Sequence, residues 1–450
     1  MTARAKSAFT EAVEMIRSRL SRDRMGGKVA RGTLQTIMVS GIGAAISMVV
    51  QMGLSQALGQ ASFGTYAVVM GWLAIATIFG KLELDVTAVR FIGKYAATEE
   101  WGVLRGYLRA GRTALITVSV AIAILSVLGI QLFRDGLAGK HHSLPDALIV
   151  ACALLPVLTL LLYEGAILQG FQRYAEAQFP VNLLRPAAFG IIMVVIVRIQ
   201  EGLTTSVAVA ANLGGAVVAL IVARYWRKRA VPEAVRSAVA TYDRPTWIRT
   251  TYPLFAVSLG QVIISQQADV IVVGTMLTTA QAGVYAAASQ LTLPVALASS
   301  AVTYVAMSMI AELYTRDPGR LQSLVRAVTW LSAGVSIPIA IGLIVLGPFL
   351  LSLYGMTEGH EVLIILTLAQ LVVGISGAVA GYLMTMTAHE KEAAWIIGMT
   401  AIVNLGLALL LTPRYGAVGT ASATLVAATG RVVALRIYIR RTMGIRVPAF

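Results

Sequence analysis

Asp269 lies inside a long apolar stretch, where an ionisable side chain needs a physical explanation. A charge at membrane depth costs at least about 2.5–3.5 kcal/mol on insertion scales. Ser258, Gln261 and Ser265 precede Asp269 at helical spacing, so the four residues lie along one face of a helix. Such a polar face can line a water-filled cavity, or it can join helices by hydrogen bonds. We expect the cavity, because Asp269 has no cationic neighbour on its own helix.

A comparable polar stripe runs along the first apolar stretch of the chain. It consists of Ser40, Ser47, Gln51 and Ser55. Two such helices facing each other would line a central cavity with hydroxyl and amide groups. These groups suit a sugar-rich ligand, and they also serve as contacts between helices.

Arg185 is the second charge whose depth needs an explanation. It follows Asn182 by one turn, precedes Pro186, and lies about two helical turns inside its apolar stretch. A guanidinium binds phosphate oxygens through paired hydrogen bonds, which makes Arg185 a candidate for phosphate recognition. The alternative is that its long side chain reaches the lipid headgroups. Glu164 is the expected partner of Arg185 when no ligand is bound.

Four charged residues gather where another apolar stretch ends: Lys81, Glu83, Asp85 and Arg90. We interpret them as a charge network at the membrane surface. The functional alternative is an inner gate that closes when two halves of the protein meet, with Glu164 as a further member. Lys81 is also a candidate for contact with an anionic ligand.

Catalytic and metal-binding motifs are missing from the sequence. The histidines all fall in expected loops, at His141, His142, His360 and His389. Metalloprotease, nucleophile-elbow, P-loop and dinucleotide-binding motifs are absent. The single cysteine, Cys152, excludes a disulfide within the chain and a CxxC site. We therefore expect neither an enzyme nor a protein with a metal or cofactor.

The elements that must position these residues are membrane-spanning helices. The chain is 57% hydrophobic and 13% charged, with a mean hydropathy of +0.78, unlike a soluble domain. A spanning helix needs roughly 20 apolar residues. We therefore predict an all-α polytopic membrane protein with twelve transmembrane helices. They cover residues 33–57, 64–83, 112–133, 146–168, 178–197, 204–223, 251–276, 284–310, 328–351, 362–386, 393–412 and 417–437.

The basic residues fall in alternate gaps between these stretches. Of the 36 Lys and Arg residues, 31 lie on the side that holds both termini. By the positive-inside rule this side is the cytoplasm, so both termini are expected there. The same rule accounts for the net charge of +15. A nucleic-acid partner is therefore not expected. Instead, the basic side chains are expected to contact anionic lipid headgroups.

The most polar internal segment, 224–250, divides the spans six and six. We predict bundles at 33–223 and 251–437 and a cytoplasmic tail at 438–450. The basic segment 1–32 is expected either as an amphipathic helix on the inner membrane surface or as a frayed polar tail.

A faint internal repeat links the two predicted bundles. Gly64 and Tyr66 open the second span, and Gly283 and Tyr285 open the eighth with the same spacing. Six spans per half give both halves one orientation. The repeat is therefore predicted to be parallel, with a pseudo-twofold axis along the membrane normal.

Three short segments resemble bacterial polysaccharide flippases. They are Leu58-Gly59 through Phe63-Gly64-Thr65-Tyr66, Ala268-Asp269-Val270-Ile271-Val272-Val273-Gly274 followed by Ala282-Gly283-Val284-Tyr285-Ala286-Ala287-Ala288, and Tyr415-Gly416-Ala417-Val418-Gly419-Thr420-Ala421. The chain thus resembles the Wzx-like polysaccharide transporter family of the multidrug/oligosaccharidyl-lipid/polysaccharide exporter superfamily. The likeness extends to span count, halves and orientation. The long basic start departs from the family pattern.

The resemblance implies alternating access in the bacterial cytoplasmic membrane. The expected substrate is a polyprenyl-diphosphate-linked oligosaccharide of an O-antigen, capsule or exopolysaccharide, moved from the inner to the outer leaflet. The implied substrate-binding residues are Arg185, Asn182, Lys81, Gln51, Gln261 and Ser265. Asp269 is the candidate for coupling to an ion gradient. Membrane lipid, a polysaccharide polymerase and export machinery are the other expected partners.

Four alternatives make different demands on the sequence. A cation-coupled multidrug exporter of the same superfamily would have a dominantly acidic cavity. A lipid II flippase resembles a fourteen-span design. A membrane glycosyltransferase or polymerase needs a sizeable outer loop, and the longest outer loop expected here is 134–145. A purely structural partner in a polysaccharide export complex would show no transport when reconstituted.

Overall fold

The fold is built from helices. The computed structural model describes residues 24–138, 143–199, 202–263, 266–300, 302–303, 318–386, 389–445 and 447–448. All regular structure within these residues is helical, with no strand. The prediction of an all-α polytopic membrane protein is confirmed.

The helices of the first half of the chain are mostly long and apolar. They are α1 (Arg24–Leu58), α2 (Gln60–Lys81), α3 (Leu84–Ala97), α4 (Trp101–Leu132), α5 (Arg134–Ala138), α6 (Leu144–Gly170), α7 (Tyr174–Gln178), α8 (Arg185–Ile199), α9 (Thr205–Ala230), α10 (Glu233–Ser237) and α11 (Arg244–Ile263). A π-helical segment, Phe179–Leu184, connects α7 to α8.

The second half continues in the same way. Its helices are α12 (Gln266–Met276), α13 (Thr279–Leu291), α14 (Pro318–Val345), α15 (Gly347–Leu353), α16 (His360–Val372), α17 (Ala378–Met386) and α18 (Glu390–Met443). A second π-helical segment, Val373–Gly377, lies between α16 and α17.

Nine helices within the described residues are long and apolar enough to cross a membrane. One of them, α18, has 54 residues, which at about 1.5 Å per residue is far longer than a bilayer is thick. Gly416 interrupts it with φ 61° and ψ −147°. The helix therefore consists of two limbs, matching the predicted spans 393–412 and 417–437. The predicted spans 251–276 and 284–310 include undescribed residues, so the twelve-helix count and the repeat stay predictions.

Several predicted loops are helical. The predicted gap 84–112 contains α3 and the start of α4, and the predicted linker 224–250 contains α10 and the ends of α9 and α11. The last helix continues six residues beyond 437 into the predicted tail, to Met443. Basic side chains do not prevent helix formation, so the hydropathy boundary falls before the helix ends. Residues 1–23 of the predicted N-terminal segment lie outside the described residues.

The chain forms two compact units. The N-terminal unit comprises residues 38–262 together with 278–283, and the C-terminal unit comprises 263–277 and 284–450 together with the segment that ends at Ile37. Within the N-terminal unit α6 contacts α2, α3, α4 and α9. Its apolar residues surround the whole helix, as expected for a helix at the centre of a bundle.

The core of the C-terminal unit lies between α14, α17 and the second limb of α18. Leu321 and Val325 of α14 pack with Val379, Leu383 and Leu435. All five side chains are buried. This packing fixes the limb of α18 that carries Thr424 and Arg431.

Two glycines of the repeat turns meet within the N-terminal unit. A Cβ on Gly64 would overlap the carbonyl oxygen of Thr279. A Cβ on Gly283 would lie 2.5 Å from the carbonyl oxygen of Gln60, closer than real contacts allow. The backbones of the two turns therefore pack directly on each other, and only glycine fits at either position.

We predict that Gly64→Ala lowers the thermal unfolding temperature of the purified protein in detergent. The added methyl group must displace the backbone at Thr279 or the start of α2. Overpacking of this kind costs roughly 1–3 kcal/mol.

Gly53→Ala is the matched control. Gly53 also lies in a helix, and a Cβ there meets nothing within 4 Å. Alanine favours a helix over glycine by about 1 kcal/mol, so the control should be unchanged or slightly more stable. Equal unfolding temperatures for the two variants would contradict the close contact of the turns.

Candidate functional site

Arg185 is held by a local distortion of its helix. Proline has no N–H and its ring clashes with the carbonyl four residues back, so Pro186 disfavours regular α-helix before it. The backbone N–H of Arg185 bonds to the carbonyl of Pro180, five residues back, which is the π-helical pattern. Gly43 and Gly215 let α1 and α9 approach the carbonyl oxygens of Asn182 and Arg185. The distorted turn is therefore enclosed by backbone on two sides.

Arg185 belongs to a set of polar side chains that is connected through Tyr66 and drawn from α1, α2 and α9. Its guanidinium interacts electrostatically with the hydroxyl of Tyr66. That hydroxyl accepts a hydrogen bond from Asn212 Nδ2 at 3.0 Å and interacts with the side chain of Gln51. The amide oxygen of Gln51, Oε1, is buried, and no described group donates a hydrogen bond to it. We call Arg185, Tyr66, Gln51, Asn212 and Asn182 the Arg185 cluster.

Asn182 extends the cluster toward the first span. Its Nδ2 donates to Ser40 Oγ at 3.2 Å and to Gln178 Oε1 at 2.7 Å. The structure thus brings together Arg185, Asn182 and Gln51, three of the predicted substrate-binding residues. All three side chains are half-buried.

No described carboxylate forms an ion pair with Arg185. The expected pairing with Glu164 is wrong. Buried Glu164 contacts Arg227 Nε and lies 3.6 Å from Arg224 Nε. Both arginines lie on α9, which packs along α6, so they reach Glu164 first. Arg185 is left with neutral polar neighbours.

The charge network at Lys81 contains three of its four predicted members. Lys81 Nζ lies 2.7 Å from Glu83 Oε1 and 2.9 Å from Asp85 Oδ2. Leu82 and Glu83 have φ of 49° and 55°, a left-handed break between α2 and α3. Arg90 is exposed and pairs with no described carboxylate. Lys81 is therefore engaged by two acids and is not free for an anionic ligand in this conformation.

Asp269 is the centre of a separate cluster in the C-terminal unit. Oδ2 accepts hydrogen bonds from Tyr285 at 3.1 Å and Thr424 at 2.8 Å, and Oδ1 accepts one from Asn404 at 3.2 Å. The residue is only 2% exposed. We call these four residues the Asp269 cluster. Here the structure shows hydrogen bonding between helices rather than the expected open cavity face.

Two predicted members of the Asp269 stripe give no further information. Ser265 lies outside the described residues, and Gln261 belongs to α11 but its side chain is likewise not described.

The tyrosines of the repeat turns are functional candidates that the sequence did not single out. Tyr66 lies beside Arg185, and Tyr285 donates to Asp269. Each follows its glycine by two residues, so the repeat spacing was the available signal. Thr424 carries no signal, because threonines are common in spans.

The two clusters have opposite chemistry. The Arg185 cluster offers a guanidinium, amides and a hydroxyl, which suit phosphate and sugar oxygens. The Asp269 cluster offers a carboxylate that can take up a proton or a cation. Among the described residues no group of three or more His, Cys, Asp or Glu could hold a metal ion.

Comparison with known proteins identifies a family for this chain. A family model described as "Polysaccharide biosynthesis protein" matches residues 29–314. No curated protein matches the chain.

Solved structures share the fold at low identity. A multidrug resistance MATE family transporter of the MOP superfamily, inward-facing, has a TM-score of 0.76 at 13% identity, over 92% of this chain and 98% of that one. The lipid II flippase MurJ, inward closed, has a TM-score of 0.68 at 14% identity, over 90% and 87%. A MOP superfamily transporter from Pyrococcus furiosus has a TM-score of 0.62 at 13% identity, over 91% and 95%.

At these low sequence identities the solved structures show the fold alone, and the family model shows to which family the chain belongs. It covers well over half of the chain, from the first span through the predicted eighth. The chain therefore belongs to the polysaccharide biosynthesis protein family and has the fold of MOP superfamily transporters.

Proposed function

We propose that this chain moves a polyprenyl-diphosphate-linked oligosaccharide from the inner to the outer leaflet of the bacterial cytoplasmic membrane by ion-coupled alternating access. The oligosaccharide would be a repeat unit of an O-antigen, capsule or exopolysaccharide. The observation that carries the proposal is the Arg185 cluster in a chain of the polysaccharide biosynthesis family. Both termini would lie in the cytoplasm, as the charge pattern predicts. The chain would act with a polysaccharide polymerase and export machinery, and without catalysis.

The charge of Arg185 favours an anionic ligand. A cation at membrane depth is costly, and no described carboxylate offsets it. A diphosphate would supply the missing charge through bidentate hydrogen bonds. The lipid tail would remain in the bilayer.

The neutral members of the cluster favour a ligand rich in hydroxyl groups. Gln51 Oε1 is buried without a described donor, which is costly for an amide oxygen. A sugar hydroxyl could donate to it. Asn182 adds a further amide within the same unit. These groups are the ones that a glycan next to a diphosphate requires.

The runner-up is a cation-coupled multidrug exporter. It is favoured by the likeness to a MATE family transporter. It requires a binding site that attracts small cations, whereas the Arg185 cluster repels them. The likeness to MurJ, a lipid II flippase, fits a lipid-linked substrate better.

Asp269 is the proposed coupling residue. Three neutral donors stabilise its carboxylate, and no described cation pairs with it. Hydroxyls of Tyr285 and Thr424 can rotate and accept a hydrogen bond when the carboxyl is protonated. The cluster can therefore hold Asp269 in either charge state, as a coupling site must.

We predict that Arg185→Gln reduces export of the polysaccharide at least about tenfold in a strain that depends on this protein. A hydrogen bond to a charged group contributes roughly 1.5–3 kcal/mol, which corresponds to a factor of ten or more. Arg185→Lys should retain partial export, because lysine keeps the charge without the bidentate geometry. Surface polysaccharide is measured at matched protein levels in the membrane.

Arg173→Gln serves as the control for this series. Arg173 is exposed, and among the described residues it pairs only with Glu176. Its loss should leave export unchanged. Full export in a strain that carries Arg185→Gln would contradict the proposed diphosphate contact.

We predict that Asp269→Asn abolishes the dependence of transport on an imposed ion gradient. Asparagine keeps the shape of the side chain but cannot bind a proton or carry its charge. Transport of the reconstituted variant should stay at the rate measured without a gradient. Proton and sodium gradients are imposed separately on the same proteoliposomes.

Asp146→Asn is the control, since Asp146 is an exposed carboxylate paired with Arg134. It should respond to the gradient as the wild type does. The coupling role is lost if Asp269→Asn keeps both full transport and full dependence on the gradient.

A further inference from the structure

A cleft separates the two limbs of α18 in the C-terminal unit. Its volume is about 360 Å³, which is in the range of small-ligand sites. Thr412 bonds with Thr420, Gly419 lies against the Leu411 carbonyl, and Ala408 packs with Ala423, so the limbs run antiparallel from the break at Gly416. The cleft is lined by Trp395, Met399 and Val403 of the first limb and by Val426, Arg431 and Ala434 of the second.

The cleft is open at an exposed apolar surface of α18. The large side chains at its margin, Trp395, Met399, Val403 and Val426, are all exposed. On a membrane-spanning helix such side chains face lipid. An occupant therefore enters sideways from the hydrocarbon phase.

Arg431 is the one charged residue among the residues that line this cleft. It is half-buried, and it forms no hydrogen bond or ion pair with a described residue. Arg436, on the same limb, donates to Ser376 Oγ at 2.5 Å and to the carbonyl of Pro448 at 2.6 Å. Arg436 thus finds partners within the protein, while Arg431 faces the cleft without one among the described residues.

The cleft lies in the half of the membrane nearer the end of α18. Arg431 lies six residues, or about 9 Å along the helix, inside the end of the predicted span 417–437. Trp395 lies near the start of α18, at the same end of the antiparallel pair. Tryptophan favours the membrane interface, and an arginine side chain reaches toward headgroups. A phosphate at headgroup depth is therefore within the range of Arg431.

We propose that this cleft binds an anionic phospholipid from the leaflet on the C-terminal side of the chain. Its phosphate would bind the Arg431 guanidinium, and an acyl chain would lie along the apolar side chains toward Val403 and Val426. This site is independent of the substrate proposed above. The lining favours a membrane phospholipid over a lipid-linked oligosaccharide, because it has no free hydroxyl for a sugar. Its one hydroxyl, on Thr400, already donates to the Ile396 carbonyl.

Lipid binding to the purified full-length chain tests the proposal. Native mass spectrometry compares phosphatidylglycerol with phosphatidylcholine of the same acyl chains. One arginine near the membrane surface favours an anionic lipid by roughly fivefold. We expect this preference in the wild type, its loss in Arg431→Gln, and its partial retention in Arg431→Lys. Arg440→Gln, an exposed arginine of the same helix, should keep it.

A second pair of variants tests the cleft without touching its charge. Val403→Trp fills the cleft and should abolish phosphatidylglycerol binding. Ile402→Trp adds the same bulk at an exposed neighbour outside the lining and should not.

Four outcomes overturn the proposal. They are equal binding of the two lipids, a preference that persists in Arg431→Gln or Val403→Trp, saturation of the site by inorganic phosphate alone, and displacement of phosphatidylglycerol by stoichiometric polyprenyl phosphate. The last result would assign the cleft to the carrier lipid. None of these outcomes bears on Arg185, so failure here is distinct from failure of the proposed transport function.

Discussion

A charge among apolar helices is stable only where hydrogen bonds or an opposite charge reach it. Asp269 meets this condition within the protein, through donors from Tyr285, Asn404 and Thr424. Arg185 meets it only in part, since its described neighbours are neutral. The functional interpretation depends on this difference. One site is complete by itself, and the other would be completed by an anion.

The surrounding helices are shaped to keep Arg185 in that position. The π-helical turn before Pro186 places it among three helices, and Gly43 and Gly215 let two of them approach the turn. Glu164 lies in the same unit but is held by two arginines of α9. The carboxylate that the sequence suggested as the partner of Arg185 is thus occupied, which leaves the guanidinium for a ligand.

Much of this arrangement could be predicted from the sequence, because apolar length and alternating basic charge are local properties. The depth of Arg185 and Asp269 in the membrane could be predicted from the same apolar lengths. The hydrogen-bond and ion-pair partners of these residues could not be predicted in this way, because helix packing determines them. Arg224 and Arg227 were assigned to a polar loop because hydropathy falls at residue 223, yet α9 continues to Ala230 and brings both to Glu164.

Translocation of the lipid-linked oligosaccharide by the purified protein is the direct test of the proposed transport function. Proteoliposomes would carry a fluorescent polyprenyl-diphosphate oligosaccharide, and a membrane-impermeant quencher would report the fraction in each leaflet over time. We expect faster exchange between leaflets than in liposomes that contain an unrelated membrane protein, with inhibition by excess diphosphate-bearing lipid. Equal rates in the two preparations, under proton and sodium gradients alike, would contradict the proposed transport function.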